Sequence, residues 1–476
     1  MYIRNEDTIC APATIPGTGA ISVIRVSGHD ALEIADKVIK CRKGTIAGSK
    51  GYTIRFGNVF SPEGNIIDEV LVSVFRAPHS YTGENSVEIS CHATSYIVTS
   101  ILDLLFDAGA RAAEPGEFTQ RAYLNGKMDL AQAEAVADVI ASQNAAAHKI
   151  AFNQMKGGFS TELRDMRSEL LELVSLMELE LDFSEEEVEF ADRSRLDGLL
   201  SALIDHISRL IDSFKLGNAI KNGVPVAIAG ATNTGKSTLL NALLGEERAI
   251  VSDIHGTTRD TIEELLNLDG ILFRFIDTAG LRETDEVVEK IGIERTFKKI
   301  SEASIVLGMV DLTRDLETTS ETVKEIIDKV DFETQNLVFL LNKTDISEVN
   351  TNVTTKNLIV SHIENKGFKS DNIKIIEISA KTGVGLPDLR HTLVKTQQNL
   401  LADSDTTLVT NQRHVQALTD ARTSLFRVRD GLACGLPTDL AAQDIREAIY
   451  HLGSIVGEIS TDEVLGNIFA NFCIGK

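Results

Sequence analysis

The segment Gly230-Ala-Thr-Asn-Thr-Gly-Lys-Ser237 has the spacing of a phosphate-binding loop, GxxxxGK[ST]. It follows the apolar run VPVAIA and precedes STLLNALLG, so it joins a predicted strand to a predicted helix. In such a loop the backbone N–H groups and the helix N-terminus face phosphate oxygens. We expect Lys236 to reach the β and γ phosphates of a nucleotide and the Ser237 hydroxyl to bind Mg²⁺.

Three further segments complete a guanine-nucleotide pattern in chain order. Asp277-Thr-Ala-Gly280 ends the run LFRFI and offers a second Mg²⁺ contact, usually through water, and an N–H for the γ phosphate. Asn342-Lys-Thr-Asp345 follows NLVFLL, and its last carboxylate can accept hydrogen bonds from the N1–H and amino group of guanine. Adenine lacks that donor pair. Ser379-Ala-Lys381 follows IKIIEI and supplies the last base-contacting loop, so the four motifs together predict GTP.

The residues that perform hydrolysis are less clear from these motifs. Ras-like proteins place a water-positioning Gln after DTAG, whereas this chain has Leu281. Hydrolysis therefore needs another group to orient water and another cation near the phosphates. Asn233 could hold a monovalent cation, and segment 252–260 has hydroxyls able to bind Mg²⁺ and a second ion. Four acids after DTAG are candidates for orienting water, and the residues alone do not choose among them: Glu283, Asp285, Glu286 and Glu289.

Apolar periodicity indicates how these motifs are positioned. Between 222 and 393, the strand runs VPVAIAG, LFRFIDTAG, ASIVLGMVD, NLVFLLNKTD and IKIIEISA alternate with helical segments. This pattern predicts a doubly wound parallel sheet, whose ligands bind beyond the carboxyl ends of the strands. Residues 127–218 and those after about 405 have helical periodicity. One apolar face holds Leu163, Met166, Leu170, Leu173, Met177 and Leu181, and another holds Ile445, Ala448, Leu452, Ile455 and Ile459.

Residues 1 to about 125 are strand-rich. Candidate strands cover 20–28 and 86–90, and YTIRFGNVF and DEVLVSVF flank the turn residues of SPEGNII as a hairpin should. The prediction is a multidomain chain: an α+β domain at 1–125, an all-α domain in two parts at 126–220 and 396–476, and an α/β P-loop GTPase (Ras-like) domain at 221–395. We expect the two helical parts to pack together, which makes the α/β domain an insertion.

Composition argues against several other classes of protein. A net charge of −23 over 476 residues argues against extensive non-specific nucleic-acid binding. Any RNA contact would then come from a local basic surface or from a partner protein. The cysteines are odd in number and lack CxxC spacing, which argues against a disulfide framework or zinc site: Cys10, Cys41, Cys91, Cys434 and Cys473. No run of ~18 apolar residues and no signal-peptide core are found. The prediction is a cytoplasmic protein that uses no membrane.

From end to end the chain resembles the tRNA modification GTPase family MnmE, also called TrmE. The resemblance is carried by PGTGAISVIRVSG, PGEFTQRAYLNGKMDLAQAEA, GATNTGKS, IHGTTRD, DTAGLRE with VEKIGIER, and the tail Cys473-Ile-Gly-Lys476. The chain departs from the family pattern in three places. Thr232 stands where the family often has Pro, Ser252 where it often has Thr, and His92-Ala93-Thr94 where it usually has His-Gly-Gly.

The resemblance implies a hydrolytic mechanism. Potassium would be held by Asn233, Ser252, Ile254 and Thr257, in the position of an arginine finger, when two G domains face each other. Thr258 would join Ser237 on Mg²⁺, and Glu289 would orient the attacking water. The full GTP-contacting set is Asn233, Thr234, Gly235, Lys236, Ser237, Thr238, Ser252, Asp253, Ile254, His255, Gly256, Thr257, Thr258, Asp277, Thr278, Ala279, Gly280, Asn342, Lys343, Asp345, Ser379, Ala380 and Lys381.

The resemblance also implies a folate site in an N-terminal domain that dimerises. The matching positions are Arg25, Glu88, Lys127 and Lys476. A glutamate tail favours Lys or Arg, and a pterin N–H pair favours a carboxylate. The cofactor would be a 5-formyl- or methylene-tetrahydrofolate, whose one-carbon unit enters an aminomethyl-type group at C5 of the wobble uridine of certain tRNAs. A flavin-dependent partner, MnmG, would complete a heterotetramer with the homodimer and carry most of the tRNA contact. Cys473 is a candidate reactive thiol, although an inert cysteine is an equal reading.

Two other functional classes share some of these motifs. Ribosome-assembly GTPases resembling Era or Der have GTTRD-like and DTAG-like segments, but they end in a basic RNA-binding module and lack the CIGK tail. A septin-like filament protein would hydrolyse GTP slowly and polymerise through its G domains. The markers outside the G domain favour the tRNA-modifying GTPase over both.

Overall fold

The computed structural model describes residues 7–182, 193–245, 264–276, 301, 303–347, 349–368, 373–397, 407–434, 438–459, 462–470, 472 and 475. The chain divides into two compact units. One comprises residues 1–141, 151–209 and 413–476, and the other comprises 142–150 and 210–412. Within the described part of the chain, none of the helices combines the length and apolar character that a membrane span requires.

The N-terminal part of the first unit is a mixed sheet with helices on one face. Its described strands are β1 (Ile9–Pro12), β2 (Ser22–Ser27), β3 (Ile39–Cys41), β4 (Thr53–Phe60), β5 (Ile66–Phe75), β6 (Ser86–Cys91) and β7 (Arg111–Ala112), in the order β3-β4-β5-β6-β2-β1-β7. Helices α1 (Ala31–Val38) and α2 (Ser95–Asp107) cover one face. The alternating Val70, Val72 and Val74 are buried in that core, which confirms the predicted hairpin β4-β5 and its inward face.

Helices follow without interruption by a strand in the described residues up to 222. They are α3 (Glu117–Leu124), α4 (Leu130–Ala141), α5 (Ala145–Met155), α6 (Gly158–Asp182) and α7 (Arg193–Asn222). The apolar face predicted for α6 is buried at Leu163, Met166, Leu170, Leu173 and Met177. The helical periodicity therefore predicted the correct face.

The second unit contains an α/β sheet. Its elements are β8 (Val224–Ala229), α8 (Lys236–Gly245), β9 (Glu264–Leu268), β10 (Ile271–Phe275), β11 (Ile305–Asp311), α9 (Leu316–Lys329), β12 (Asn336–Asn342), α10 (Val349–Asn365), β13 (Lys374–Glu377) and α11 (Leu386–Thr396). The strand order is β13-β12-β11-β8-β10-β9. Five of these strands are the predicted parallel ones. Their carboxyl ends place the loops after β8, β12 and β13 at one edge.

The edge strand β9 was not predicted, and it runs antiparallel to β10. The two are joined by Asp269 and Gly270, which have φ values of 49° and 85°. Two positive φ values in a two-residue loop match a type I′ hairpin turn, for which Asp-Gly is a favoured sequence. The Asp-Gly pair between LNL and ILF was therefore a readable hairpin signal.

The chain ends in α12 (Gln412–Ala433), α13 (Thr438–Val456) and α14 (Asp462–Phe469). Helix α13 packs along α6, so helices from before and after the α/β sheet share one core. This confirms that the α/β domain is an insertion into a helical domain. Leu170 and Leu173 of α6 and Ile445 and Leu452 of α13 are all buried.

A buried charge cluster joins α4 to the start of α12. The carboxylate of Glu134 accepts hydrogen bonds from Nε and Nη2 of Arg413, at 3.0 and 2.8 Å, and lies 2.7 Å from Nε2 of His414. Burial raises the pKa of Glu134, but the bonds and charges of His414 and Arg413 outweigh burial and lower it to about 2. The carboxylate is therefore ionised at neutral pH and fixes the contact between these two helices.

The predicted apolar stripe on α13 is wrong at its last position. Ile459 is 40% exposed and lies beyond the helix, which ends at Val456. Gly457 has a φ of +82°, a left-handed conformation that ends helices. Its carbonyl accepts a hydrogen bond of 2.6 Å from Oη of Tyr123, so the end of α13 is attached to α3.

Substitution of Gly457 by Ala should destabilise the first unit. A Cβ at this position would lie 2.7 Å from Oη of Tyr123 and 2.8 Å from Cβ of Leu130. Because these close contacts add to the strain of the positive φ, we expect the free energy of unfolding to fall by about 2 kcal/mol. Thermal unfolding followed by circular dichroism should show a Tm lowered by several degrees. Gly466→Ala is the matched control, because a Cβ at this helical glycine meets no atom within 4 Å. Equal Tm values for the two variants would contradict the expectation.

Candidate functional site

The phosphate-binding loop occupies the predicted position between β8 and α8. Gly230 follows the last residue of β8, and Lys236 begins α8. Asn233 has a φ of +62°, so the backbone reverses at the middle of the loop. The loop therefore presents its N–H groups at the N-terminus of a helix, which is the arrangement that binds phosphate.

Lys236 lies folded over this loop. Its Nζ donates to the carbonyls of Gly230 and Ala231 at 2.9 and 2.8 Å. Burial lowers the pKa of Lys236, and the positive charge of Arg314 lowers it further. A polyphosphate bound in the loop would offset both effects, because it supplies anionic oxygens to the same ammonium group.

Asn342 joins the phosphate-binding loop to the loops after β12 and β13. Its Nδ2 donates to the carbonyl of Thr234 at 2.7 Å, and its Oδ1 accepts from the N–H of Ala380 at 2.9 Å. The side chain is buried, with 3% of the residue exposed. Gly235 is required beside it, since a Cβ there would lie 2.5 Å from Nδ2 of Asn342.

Asp345 and Ser379 form the second contact between the base-side loops. The Ser379 hydroxyl donates to Oδ1 of Asp345 at 2.8 Å and accepts a hydrogen bond from the N–H of Thr382. Asp345 is exposed, whereas Ser379 is buried. The Ser379 hydroxyl thus fixes the Asp345 carboxylate while the carboxylate stays exposed to solvent.

Lys343 is tied to a residue that the sequence patterns did not identify. Its Nζ lies 2.7 Å from Oδ2 of Asp311, the last residue of β11. Asp311 also accepts from the N–H and hydroxyl of Thr313. Burial raises the pKa of Asp311, but these bonds outweigh burial and lower it. A carboxylate at the carboxyl end of a fully buried strand was the available signal.

Arg314 is a second residue that motif reading missed. Its Nη2 donates to the carbonyl of Thr232, next to Asn233 in the phosphate-binding loop. It therefore brings a guanidinium to the loop from the segment after β11. The loop position that departs from the family pattern, Thr232, is the one whose carbonyl Arg314 holds.

Several predicted nucleotide contacts lie outside the described residues. They are Ser252, Asp253, Ile254, His255, Gly256, Thr257 and Thr258 of the switch segment, Asp277, Thr278, Ala279 and Gly280 of the DTAG motif, and the proposed catalytic Glu289. The described strand β10 ends two residues before Asp277, and the N–H of Ile276 donates to Val226. Within the described residues, Thr234 lies in the phosphate-binding loop, Ser237 and Thr238 lie in the first turn of α8, and Lys381 lies in the loop after β13.

A second constellation lies in the N-terminal sheet. Arg25 and Glu88 face each other in the antiparallel register of β2 and β6. Nε and Nη2 of Arg25 donate to Oε1 of Glu88 at 3.0 and 2.8 Å. The guanidinium also lies 5.3 Å from the ring centroid of Tyr81 and 5.7 Å from that of Phe118. Two of the four predicted folate contacts are therefore directly paired.

The other two predicted folate contacts are Lys476 and Lys127. Nη1 of Arg25 donates to the carbonyl of Gly475 at 3.4 Å, which places the residue before Lys476 beside Arg25. Lys476 itself and Cys473 lie outside the described residues. Lys127 is exposed, and its Nζ donates to the carbonyl of Pro78 at 3.0 Å, in the loop that also carries Tyr81.

The departure at His92-Ala93-Thr94 has a structural role. The Thr94 hydroxyl accepts from the N–H of Ile97 and caps the N-terminus of α2. Asp68 accepts from the N–H of His92 and lies 2.7 Å from its Nδ1. These contacts fix the end of β6, three residues after Glu88.

The described cysteines and acids show no metal or disulfide site. Cys10, Cys41, Cys91 and Cys434 are free, and burial raises the pKa of the Cys10 thiol to about 12 and that of Cys91 to about 11. Among the residues that the structure describes, no group of three His, Cys, Asp or Glu side chains could hold a metal ion. The two high pKa values make these thiols poor nucleophiles.

Two family models together match nearly the whole chain. One, described as the GTP-binding protein TrmE N-terminus, matches residues 8–127, and the other, the MnmE helical domain, matches residues 130–473. Curated relatives from Parabacteroides distasonis and Bacteroides thetaiotaomicron are 50% and 51% identical to this chain. The alignments cover 98% and 99% of this chain and 100% of each relative.

A relative from Flavobacterium johnsoniae is 51% identical, with 99% of this chain and 100% of the relative covered. All three relatives carry the name tRNA modification GTPase MnmE. The α/β GTPase domain inserted into a helical domain agrees with the two family models. The chain therefore belongs to the MnmE (TrmE) family of tRNA modification GTPases.

Proposed function

We propose that this chain hydrolyses GTP in a potassium-dependent cycle that serves modification of the wobble uridine of certain tRNAs. The observation that carries the proposal is the Asn342 side chain, which holds the phosphate-binding loop and the base-side loops together through Thr234 and Ala380. Both halves of a nucleotide site are thus present in one fixed arrangement.

Guanine selection is assigned to Asp345. Its exposed carboxylate can accept hydrogen bonds from N1–H and the amino group of the base, while Ser379 holds it from the other side. Lys343 and Lys381 flank the base, and Lys343 is fixed by Asp311. Adenine offers an unprotonated N1 to the same carboxylate, so the site rejects it.

Asp345→Asn should change the preferred base. The amide keeps an acceptor for N1–H but presents an N–H₂ donor where guanine has its amino group, whereas xanthine has a carbonyl there. We expect affinity for GTP to fall about 100-fold and affinity for XTP to rise, measured by nucleotide titration. Asp328→Asn, the same change at the carboxyl end of α9, should alter neither affinity. Unchanged GTP affinity in Asp345→Asn would remove this carboxylate from base recognition.

Asn233 fits the role of a potassium ligand. It is exposed at the left-handed turn of the phosphate-binding loop, and its amide makes no hydrogen bond with another described residue. Its oxygen is therefore available to a cation beside the phosphates. Ser252, Ile254 and Thr257 would complete the ion's ligands, Ser237 and Thr258 would hold Mg²⁺, and Glu289 would orient water. A monovalent cation there supplies positive charge where the phosphates gain negative charge in the transition state.

GTP hydrolysis should be fast in KCl and slow in NaCl at equal ionic strength. Asn233→Ala should remove the potassium response, and Glu289→Ala should hydrolyse slowly in both salts while it still binds GTP. Glu286→Ala is the matched control, because it removes an acid from the same segment and should keep the wild-type rate. If two G domains complete the site, the rate per molecule in KCl should also rise with protein concentration. Equal wild-type rates in the two salts would overturn the potassium mechanism and leave the GTP site intact.

The N-terminal constellation fits a reduced folate. Oε1 of Glu88 accepts both bonds from Arg25, whereas Oε2 has no partner among the described residues and can accept from a pterin N–H. Lys127 and Lys476 carry the positive charge that a glutamate tail requires. Bound 5-formyl- or methylene-tetrahydrofolate would supply the one-carbon unit. Arg25, held between Tyr81, Phe118 and the carbonyl of Gly475, would orient Glu88.

Lys127→Ala should weaken binding of 5-formyltetrahydrofolate about tenfold without lowering Tm. Among the described residues the ammonium donates to the Pro78 carbonyl, so its loss removes charge from the site and little packing. Lys37→Ala is the control, since Nζ of Lys37 also donates to a loop carbonyl, that of Ala108, in the same unit. Equal affinities for the two variants in equilibrium dialysis would count against a role for Lys127.

Three domains and a second protein would share the modification reaction. Residues 1–125 would form the folate-binding and dimerising domain, 126–220 and 396–476 the helical domain, and 221–395 the G domain. A flavin-dependent partner protein, MnmG, would join the homodimer and share the tRNA. Hydrolysis would drive a conformational cycle, and the bond-making at uridine C5 would take place in the joint complex.

A further inference from the structure

Basic residues are concentrated in one segment of this acidic chain. Residues 37–62 contain six Lys or Arg residues and no Asp or Glu, although the whole chain carries a net charge of −23. Four of them are exposed at β3, the edge strand of the N-terminal sheet, and in the loop that follows it. We call these four the basic edge: Lys40, Arg42, Lys43 and Lys50.

Two members of the basic edge are positioned by aromatic rings on β4. The guanidinium carbon of Arg42 lies 4.5 Å from the ring centroid of Phe56, and Nζ of Lys40 lies 5.0 Å from that of Phe60. Such contacts orient a cation while its outer side faces water. Glu69 lies 3.7 Å from Arg42, and both are exposed, so this ion pair competes weakly with a polyanion.

The loop that carries Lys43 and Lys50 is held at several points. The carboxylate of Asp36 accepts from the N–H groups of Ile46 and Ala47, at 2.6 and 2.8 Å. Nε of Arg55 donates to the Ser49 hydroxyl at 2.7 Å, and Nε of Arg76 donates to the Ser49 carbonyl at 2.9 Å. The two exposed lysines are therefore presented from a fixed backbone, which reduces the ordering cost of binding.

An exposed aromatic ring lies two residues after Lys50. Tyr52 is 73% exposed and contacts Phe75 edge-on, with ring centroids 5.9 Å apart. Its φ is +59°, a left-handed conformation that is strained for a bulky residue, and its N–H donates to Val74. Strain of this kind persists where surrounding contacts over-determine it and is frequent at functional positions. The backbone thus holds a largely solvated ring two residues from Lys50.

We propose that the basic edge and Tyr52 form a contact surface for RNA. The cations would meet phosphates of a folded RNA, and the Tyr52 ring would stack on an unpaired base. The inference rests on the proposed role in tRNA modification and adds the surface of this chain that touches the RNA. RNA is favoured over an acidic protein, because an exposed, strained aromatic ring on the same segment as the cations provides a stacking platform that an acidic protein surface does not use.

The charge part is tested with full-length protein and labelled bulk tRNA. Affinity is measured by fluorescence anisotropy in KCl between about 50 and 200 mM, where phosphate contacts dominate the salt dependence. For Lys40→Gln/Arg42→Gln we expect affinity at low salt to fall about tenfold and the slope of log K against log[KCl] to shrink by about 1.5 to 2. A tRNA affinity and slope equal to those of the control would overturn the proposal.

The control is Lys156→Gln/Arg429→Gln. This pair has the same charge change and the same geometry, with Lys156 at 4.6 Å from the Phe152 centroid and Arg429 at 4.8 Å from that of Phe426. It should leave tRNA affinity unchanged. If the Lys40/Arg42 variant instead lost binding to the flavin-dependent partner while keeping its tRNA affinity, the surface would be a protein interface and the RNA proposal would be wrong.

Tyr52 is tested by three substitutions. Tyr52→Phe keeps the ring and should keep affinity, whereas Tyr52→Ala should lose about fivefold or more. Tyr52→Gly should lose as much tRNA affinity as Tyr52→Ala but have a higher Tm than Tyr52→Ala, because glycine adopts positive φ without strain. A purely structural tyrosine would lower Tm in Tyr52→Ala and leave tRNA affinity unchanged in all three, which would overturn the stacking role.

GTP hydrolysis in KCl, measured for the same variants, separates this inference from the proposed function. The basic-edge and Tyr52 variants should hydrolyse GTP at the wild-type rate. Wild-type protein without potassium-dependent hydrolysis would refute the proposed cycle, whatever the tRNA titrations show. Normal hydrolysis together with no tRNA binding by wild-type protein at low salt would refute the RNA surface alone.

Discussion

The nucleotide-binding part of this protein depends on the buried amide of Asn342. Its two hydrogen bonds reach the phosphate-binding loop at Thr234 and the last base-side loop at Ala380. Each bond has a net value of about 1 kcal/mol, but the loss of the amide would leave a buried carbonyl and a buried N–H without partners, at about 1–3 kcal/mol each. The parallel register of β8, β11, β12 and β13 brings these loops to one edge, and Asn342 converts that proximity into a defined geometry.

Charged side chains extend the same arrangement. Asp311 fixes Lys343 from the end of β11, and Arg314, three residues later, holds the carbonyl of Thr232. Lys236 and Arg314 therefore both bring positive charge to the phosphate-binding loop, and the charge of Arg314 lowers the pKa of Lys236 in addition to the effect of burial. An anionic ligand bound in this loop would reduce the electrostatic repulsion between Lys236 and Arg314, so the loop favours such a ligand.

The N-terminal unit depends on contacts between distant parts of the chain. Arg25 pairs with Glu88 across β2 and β6 and also binds the carbonyl of Gly475, one residue from the C-terminus. The Tyr123 hydroxyl binds the end of α13, and Arg413 with His414 binds Glu134 of α4. The C-terminal helices and tail are thereby part of the same unit as the first strands, which explains why specific markers of one family occur at both ends of the chain.

Sequence by itself determined the element types, the inserted α/β domain and the family, because these follow from local periodicity and from short motifs whose residues act through nearby backbone. It also predicted that Asn342, Asp345 and Lys236 lie close together, since strand-end loops of a parallel sheet must meet at its carboxyl edge. It missed the hairpin at Asp269-Gly270, although the turn signal was present, and it extended α13 to Ile459 because an apolar spacing says nothing about the left-handed Gly457.

Only the tertiary structure decided which side chains pair. Residues from separate elements form these pairs: Asp311 with Lys343, Arg314 with Thr232, and Lys40 and Arg42 of the basic edge with the rings of Phe60 and Phe56. Such pairs depend on strand order, register and the direction of each side chain, and none of these is encoded in a local pattern of residue types. The net charge of −23 described the whole chain correctly, whereas the location of the exposed cations on one strand edge required the folded sheet.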